Sequence, residues 1–148
     1  MWSPHDLNIV DRADFFAENL KKDRIRSVVK IILYDLDFPI TCEGFDFLEI
    51  MIPMACEMPA PINLQELYRN AVRNGYGHSE AAIAVAVQEA IKMAWKCRNG
   101  GRWYLYFPDY VIRRKKAPSN KEFIKAIVFF IGMWQDSYEK EASGCESG

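Results

Sequence analysis

The sequence predicts an all-α domain, a compact bundle of about five to six helices containing a helix-turn-helix, and three observations carry that reading. Apolar residues recur at i, i+3, i+4 and i+7 through most of the chain, the period of a helix with one buried face. Capping residues stand just ahead of these runs, and Asn63 and Ser119 are each followed three positions later by a glutamate, the capping-box spacing. The chain has 148 residues, 50% of them hydrophobic and 26% charged, with no proline/glycine-rich or low-complexity stretch. That is enough for one domain with a well-buried core. Residues 1–22 read as a leader or extra helix, 23–136 as the domain and 137–148 as a polar tail.

Each element follows from its own residues. Met1–Leu20 places Trp2 and Phe15-Phe16 among acids and reads as a leader or a short first helix. From Asp23 onward, Ile25, Val28, Val29, Ile32, Leu33 and Leu36 form one stripe, and Pro39 is expected to stop the helix. Thr41 is the expected cap of a second helix carrying Phe45, Leu48 and Ile52 on one face; Pro53, Pro59 and Pro61 then predict a connection over 53–61. Asn63 with Glu66 opens a short helix through Leu64, Leu67, Tyr68, Ala71 and Val72 to about Asn74. After the turn Gly75-Tyr76-Gly77, Ser79 opens an alanine-rich helix from Glu80 to about Lys96, with Ile83, Val87, Ala90, Ile91, Ala94 and Trp95 inward. Asn99-Gly100-Gly101 ends it. Two helices joined by a glycine-containing turn make a helix-turn-helix, whose second helix reads a DNA major groove; a plain αα-hairpin has the same pattern. The stretch 102–112, RWYLYFPDYVI, is aromatic and β-branched, which favours a short extended arm or an aromatic packing segment. Ser119 with Glu122 caps a last helix through Phe123, Ile127, Phe130, Ile131 and Trp134.

Composition removes several functional classes. The longest apolar run, near Ile127–Met133, is far short of the ~20 residues that span a bilayer, and no secretory segment opens the chain, so a cytoplasmic protein is the expectation. Cys42, Cys56, Cys97 and Cys145 are scattered without a CxxC pair, and His5 and His78 are the only histidines. No metal site is indicated, and the thiols read as reduced, small buried hydrophobes. His78 beside Ser79 has the residue types of a base and a nucleophile, but neighbours at a helix start rarely face one another and no carboxylate is placed to orient the histidine. No enzyme, catalytic residue, small-molecule substrate or cofactor is expected. The pairs Asp35/Asp37 and Glu43/Asp46 read as solvated charges at helix ends, and Met51, Met54 and Met58 as adaptable core or dimer surface.

Charge is unevenly placed. The whole chain carries −1, yet residues 1–60 hold eleven acids to six bases, and residues 61–125 hold twelve bases to five acids, concentrated in Lys92–Arg102 and Arg113–Lys125. A locally basic face follows.

Four pieces in fixed order give the chain a family likeness from about Ile25 to Ile131: the first helix leading to Phe38-Pro39 and Gly44-Phe45-Asp46-Phe47-Leu48; Leu67-Tyr68; Ala90-Ile91-Lys92-Met93-Ala94-Trp95; and Pro118-Ser119-Asn120-Lys121-Glu122-Phe123-Ile124. Together they resemble the C-terminal DNA-binding effector domain of the sporulation master response regulator, the stage zero sporulation protein A family. The resemblance implies a bundle of about six helices with the helix-turn-helix in its middle. It also implies double-stranded DNA as partner and transcription regulation as role. In that family the domain usually follows a phosphorylatable receiver; the ~22 residues ahead of Asp23 are too few for one, so control by phosphorylation in cis is not expected.

The likeness breaks where bases would be read. Family members carry basic side chains along the exposed side of the reading helix, where this sequence has Ala82, Val85, Gln88 and Glu89. A bidentate arginine on guanine contributes about 1–3 kcal/mol of discrimination, so recognition of the family's own operator should be largely lost. Gln88 can pair with an adenine edge, Ala82 and Val85 can touch thymine methyls, and His78 or Ser79 at the helix start can meet a phosphate. Lys96, Arg98 and Arg102, at or just past the helix end, and Arg113, Arg114, Lys115 and Lys116, ahead of the last helix, are the expected backbone contacts. The alternative reading of these cations is a solvated basic surface at helix ends. Two functions follow: a DNA-binding regulator of altered specificity, as a homodimer or paired with a full-length regulator, or a paralogue that has kept the fold and uses Ala82, Val85, Ala86 and Glu89 as a protein-protein surface.

Overall fold

The computed structural model describes residues 25–98 and 100–147, with side chains described to Asp136. The proposed leader, residues 1–22, lies outside the described residues. Seven helices are described, and no strand is present among the described residues: α1 (Ile25–Asp35), α2 (Glu43–Glu57), α3 (Leu64–Arg73), α4 (Glu80–Lys96), α5 (Gly100–Trp103), α6 (Asp109–Ile112) and α7 (Asn120–Ser147).

α1 buries the stripe its period marks, Ile25, Val28, Val29, Ile32 and Leu33. It ends four residues before Pro39, in a Schellman motif. Asp37 adopts the left-handed conformation (φ 62°). Its N–H donates to the Tyr34 carbonyl at 3.1 Å, and the Phe38 N–H donates to the Leu33 carbonyl at 3.1 Å.

α2 departs from expectation at both ends. Its N-cap is Cys42 rather than Thr41, and no side chain makes a capping hydrogen bond there. Pro53 lies inside the helix, which continues to Glu57, so the connection begins at Met58 rather than at residue 53. An interior proline removes a backbone hydrogen bond and costs about 3 kcal/mol. The buried residues on both sides of it, Leu48, Met51, Ile52 and Ala55, offset that cost. Met54 and Met58 pack against the same core, so the methionine cluster is packing.

α2 is the central element, packed on α1, α3, α4 and α7. It meets α4 at backbone distance, because Gly44 faces the Ala86 carbonyl and the Ala90 methyl, where a Cβ would overlap both.

The aromatic stretch 102–112 is not extended. It forms α5, a turn and α6, with Pro108 as the N-cap of α6. Local β propensity loses to tertiary packing, because the stretch serves as an aromatic plug. Trp103 is fully buried, with Trp95 edge-on at 5.3 Å between centroids, Phe107 at 5.2 Å, and Phe123 and Phe38 at 6.2 and 6.5 Å. Tyr106 packs on Phe130 at 4.7 Å and donates its hydroxyl to Asp35 at 3.1 Å; burial, with Asp35 beside it, keeps the phenol protonated far above the usual tyrosine range.

α7 starts with the full capping box. Ser119 Oγ accepts from the Glu122 N–H at 3.1 Å, and Glu122 Oε1 accepts from the Ser119 N–H at 3.0 Å. The helix runs beyond Trp134 to Ser147, through residues that lack proline and favour helix, such as Glu139, Lys140, Glu141 and Ala142. Cys42 and Cys56 are half-buried free thiols, Cys56 pushed up to about 11 by burial, whereas Cys97 is exposed and so is not the buried hydrophobe the sequence suggests. Cys145 lies beyond the described side chains. Among the described residues no group of His, Cys, Asp or Glu could hold a metal ion, and no helix is long and apolar enough to cross a membrane.

Candidate nucleic-acid interface

The turn between α3 and α4 is fixed by two glycines. Gly75 (φ 87°) closes α3 in a second Schellman motif, its N–H donating to the Val72 carbonyl at 3.0 Å while Tyr76 N–H donates to Ala71 at 2.9 Å. Gly77 (φ 77°) lies against Ile83 and the Phe47 ring, where a Cβ would come within 2.8 Å of the isoleucine. Ser79 then caps α4, its hydroxyl accepting from the Ala82 N–H at 3.1 Å. Asn120, at the first turn of α7, donates its buried amide to Tyr68 Oη and to the Ala84 carbonyl, both at 2.9 Å. One side chain thereby ties both helices of the pair to the bundle.

With its apolar face turned inward, α4 presents Ala82, Val85, Glu89, Lys92, Met93 and Lys96 to solvent, with Gln88 half-buried at the edge of this face. Val85 is 61% exposed and Met93 49%. His78 and Ser79 stand exposed at the turn.

The sequence-selected cations separate into two groups. Arg102 is 3.9 Å from Asp35 and 3.7 Å from Asp37. Arg113 pairs with Asp109 at 2.9 Å, and Arg114 makes a two-pronged pair with Glu122 at 2.9 and 3.0 Å. Arg98 lies over the Trp95 ring, 4.0 Å from its centroid, and donates to the Trp95 carbonyl at 2.9 Å. All four arginines are therefore engaged within the molecule. Lys96, Lys115 and Lys116 instead converge with Lys92, Gln88, Trp95 and Ala117 around a groove of about 300 Å³ at the junction of α4 and the loop before α7. Trp95 Nε1 donates to the Lys115 carbonyl at 3.4 Å, joining the two sides. None of the four lysines forms an ion pair with a described residue.

Lys92 is absent from the sequence-selected contacts. Gln88, Lys92 and Lys96 stand at i, i+4 and i+8, one face of the helix, and that spacing was the available signal.

A helical bundle that presents a capped second helix after a glycine turn has the element order of a helix-turn-helix domain. The chain belongs to the family described as sporulation initiation factor Spo0A C terminal, whose model matches residues 29–131, more than half of its length. That is a family of DNA-binding effector domains and not one of enzymes. Comparison with curated proteins returns no match.

Proposed function

We propose that this chain is a DNA-binding transcriptional regulator in which residues 23–136 form the working unit and α4 enters the major groove. The observation that carries the reading is the lysine groove: four ammonium groups without acidic partners among the described residues flank the C-terminal half of a helix whose outer face also carries Gln88. Lys92, Lys96, Lys115 and Lys116 hold the phosphate backbone, and Gln88 reads an adenine edge. Ala82 and Val85 supply methyl contacts to thymine, and His78 meets a phosphate at the helix start. The specificity differs from that of basic-faced reading helices, and dimerisation sets half-site spacing.

The test is selection from a randomised duplex library at two salt concentrations. An enriched motif is expected, with Gln88→Ala changing the preferred sequence while leaving affinity for unselected DNA nearly intact. Salt-sensitive retention without enrichment would leave only backbone contacts. Absence of retention at low salt would overturn the reading. A second reading rests on the exposure of Val85 and Met93 beside Ala82 and Glu89, an apolar strip that suits a partner helix, including a homologous regulator in a mixed dimer. In that case copurification of such a regulator would survive mutation of the lysines.

A further inference from the structure

The loop that brings Lys115 and Lys116 to the groove is short of internal hydrogen bonds and is held at its ends. On one side Arg114 N–H donates to the Val111 carbonyl at 3.2 Å, and on the other Pro118 is buried against the core. Between these anchors the Arg114 guanidinium crosses back to α7, where both of its terminal nitrogens donate to Glu122. Its Nε is buried without a partner, so Glu122 alone satisfies the guanidinium by hydrogen bonding among the described residues. The same carboxylate accepts the Ser119 N–H, closing the loop from its far end. Trp95 meets the middle of the loop at the Lys115 carbonyl.

We propose that the Arg114–Glu122 pair is a positioning clamp for DNA binding, in which an acidic residue strengthens contact with a polyanion by holding Lys115 and Lys116 beside Lys92 and Lys96. This rests on the reading of the groove as a phosphate-contact surface. Its consequence runs against simple electrostatics. Glu122 is bound to the residue next to Lys115, so an acid with no structural role there would repel DNA, and its removal would tighten binding. An acid that positions two lysines does the reverse.

Glu122→Gln separates the two cases. Glutamine keeps an oxygen to accept the Ser119 N–H, preserving the cap, and removes only the charge that holds Arg114. Net charge moves from −1 to zero, in the direction that favours DNA. The measurement is affinity for a fluorescent mixed-sequence duplex across a salt series, beside the wild type and the double variant Lys115→Ala/Lys116→Ala, with thermal melts confirming the fold. The clamp predicts that Glu122→Gln binds more weakly than wild type, with the log–log salt slope reduced by about 1–2, roughly one for each lysine that leaves the phosphates. Arg114→Lys, which keeps net charge and loses the fork, should behave likewise, and it decides the matter if Glu122→Gln fails to fold. Unchanged or tighter binding by these variants, with the double-lysine variant impaired, overturns the clamp and leaves the groove reading standing. A double-lysine variant that binds like wild type overturns the groove reading at those residues and the clamp with it.

Discussion

Gly44 and Gly75 both favour glycine, for opposite reasons, and the two can be told apart by mutation. A Cβ on Gly44 would overlap the Ala86 carbonyl oxygen and come within 2.5 Å of the Ala90 methyl carbon, all of them groups on or packed into helices. Neither neighbour can swing away, so Gly44→Ala must separate α2 from α4. The expected cost is about 1–3 kcal/mol, typical of an overpacked core. At Gly75 nothing lies within 4 Å of the position a Cβ would take, and the penalty comes only from φ 87°, about 1–2 kcal/mol for the left-handed backbone. Urea denaturation of both alanine variants checks this, and the second substitution, asparagine, distinguishes them: Asn tolerates the left-handed region and should restore much of the loss at Gly75 while worsening it at Gly44. If Gly44→Ala melts like wild type, the close helix crossing is wrong. The turn role of Gly75 is legible in the sequence because a glycine after a capped helix has a local meaning. That of Gly44 is not, since the residues that exclude its side chain belong to a helix much later in the chain.

α1, by its apolar stripe, and α3, α4 and the first half of α7, by stripe and N-cap together, can be read from sequence because each signal is contained within a few turns of the chain. Pro53 and the 102–112 stretch could not, because burial of Leu48, Met51 and Ile52 in one case and of Trp103 and Phe107 in the other overrides local preference. The candidate interface divides in the same way. Arg113 and Arg114 read as a basic run open to phosphate, yet Asp109, four residues before Arg113, and Glu122, eight residues after Arg114, engage them, and Arg102 meets Asp35 and Asp37 at a helix terminus far earlier in sequence. Side-chain pairing across elements decides which cations remain for a ligand, and periodicity carries no information about it. The loop clamp has its own measurable signature. Hydrogen bonds from Arg114 and the Ser119 backbone hold the Glu122 carboxyl down at about 2, below its ordinary 4.5. A carboxyl lowered on folding contributes stability that is complete above its unfolded value and is lost as pH falls through its folded one. The melting advantage of wild type over Glu122→Gln should therefore be constant near neutrality and shrink between about pH 4.5 and about pH 2. The pair is half-exposed, so the advantage is small and screened by salt. An advantage that persists unchanged at pH 2 would show that the two side chains are not paired in solution.

At the scale of the whole molecule the charge is nearly balanced, −1, so the DNA binding proposed above gains little from net charge and must rest on local attraction. The fold produces that locality by pairing Arg102, Arg113 and Arg114 with acids while the groove lysines have no acidic partner among the described residues. Asp35, Asp37, Asp109 and Glu122 are each engaged by an arginine, while Lys92, Lys96, Lys115 and Lys116 collect at one groove. The arrangement fits the chemistry of the two cations: the planar guanidinium forks onto carboxylates and rings, and the compact ammonium on a flexible stem suits a phosphate lattice as a point charge. A count follows from it. Each phosphate neutralised on a duplex contributes about −0.9 to the log–log dependence of affinity on salt, so four lysine contacts give a slope of about −4. Replacing Lys92 and Lys96 by alanine should bring the slope to about −2, and replacing all four should bring it close to zero, with affinity lost on every sequence alike because phosphate contacts carry no base information. Replacing Arg102 and Arg113 instead should leave the slope near −4, since both are occupied by carboxylates in the free protein and would have to exchange one partner for another. Titration of a labelled duplex over a salt series measures all four proteins directly. A slope that falls with the arginines and not with the lysines would mean that the ion pairs open on binding and that the arginines, rather than the groove, face the DNA.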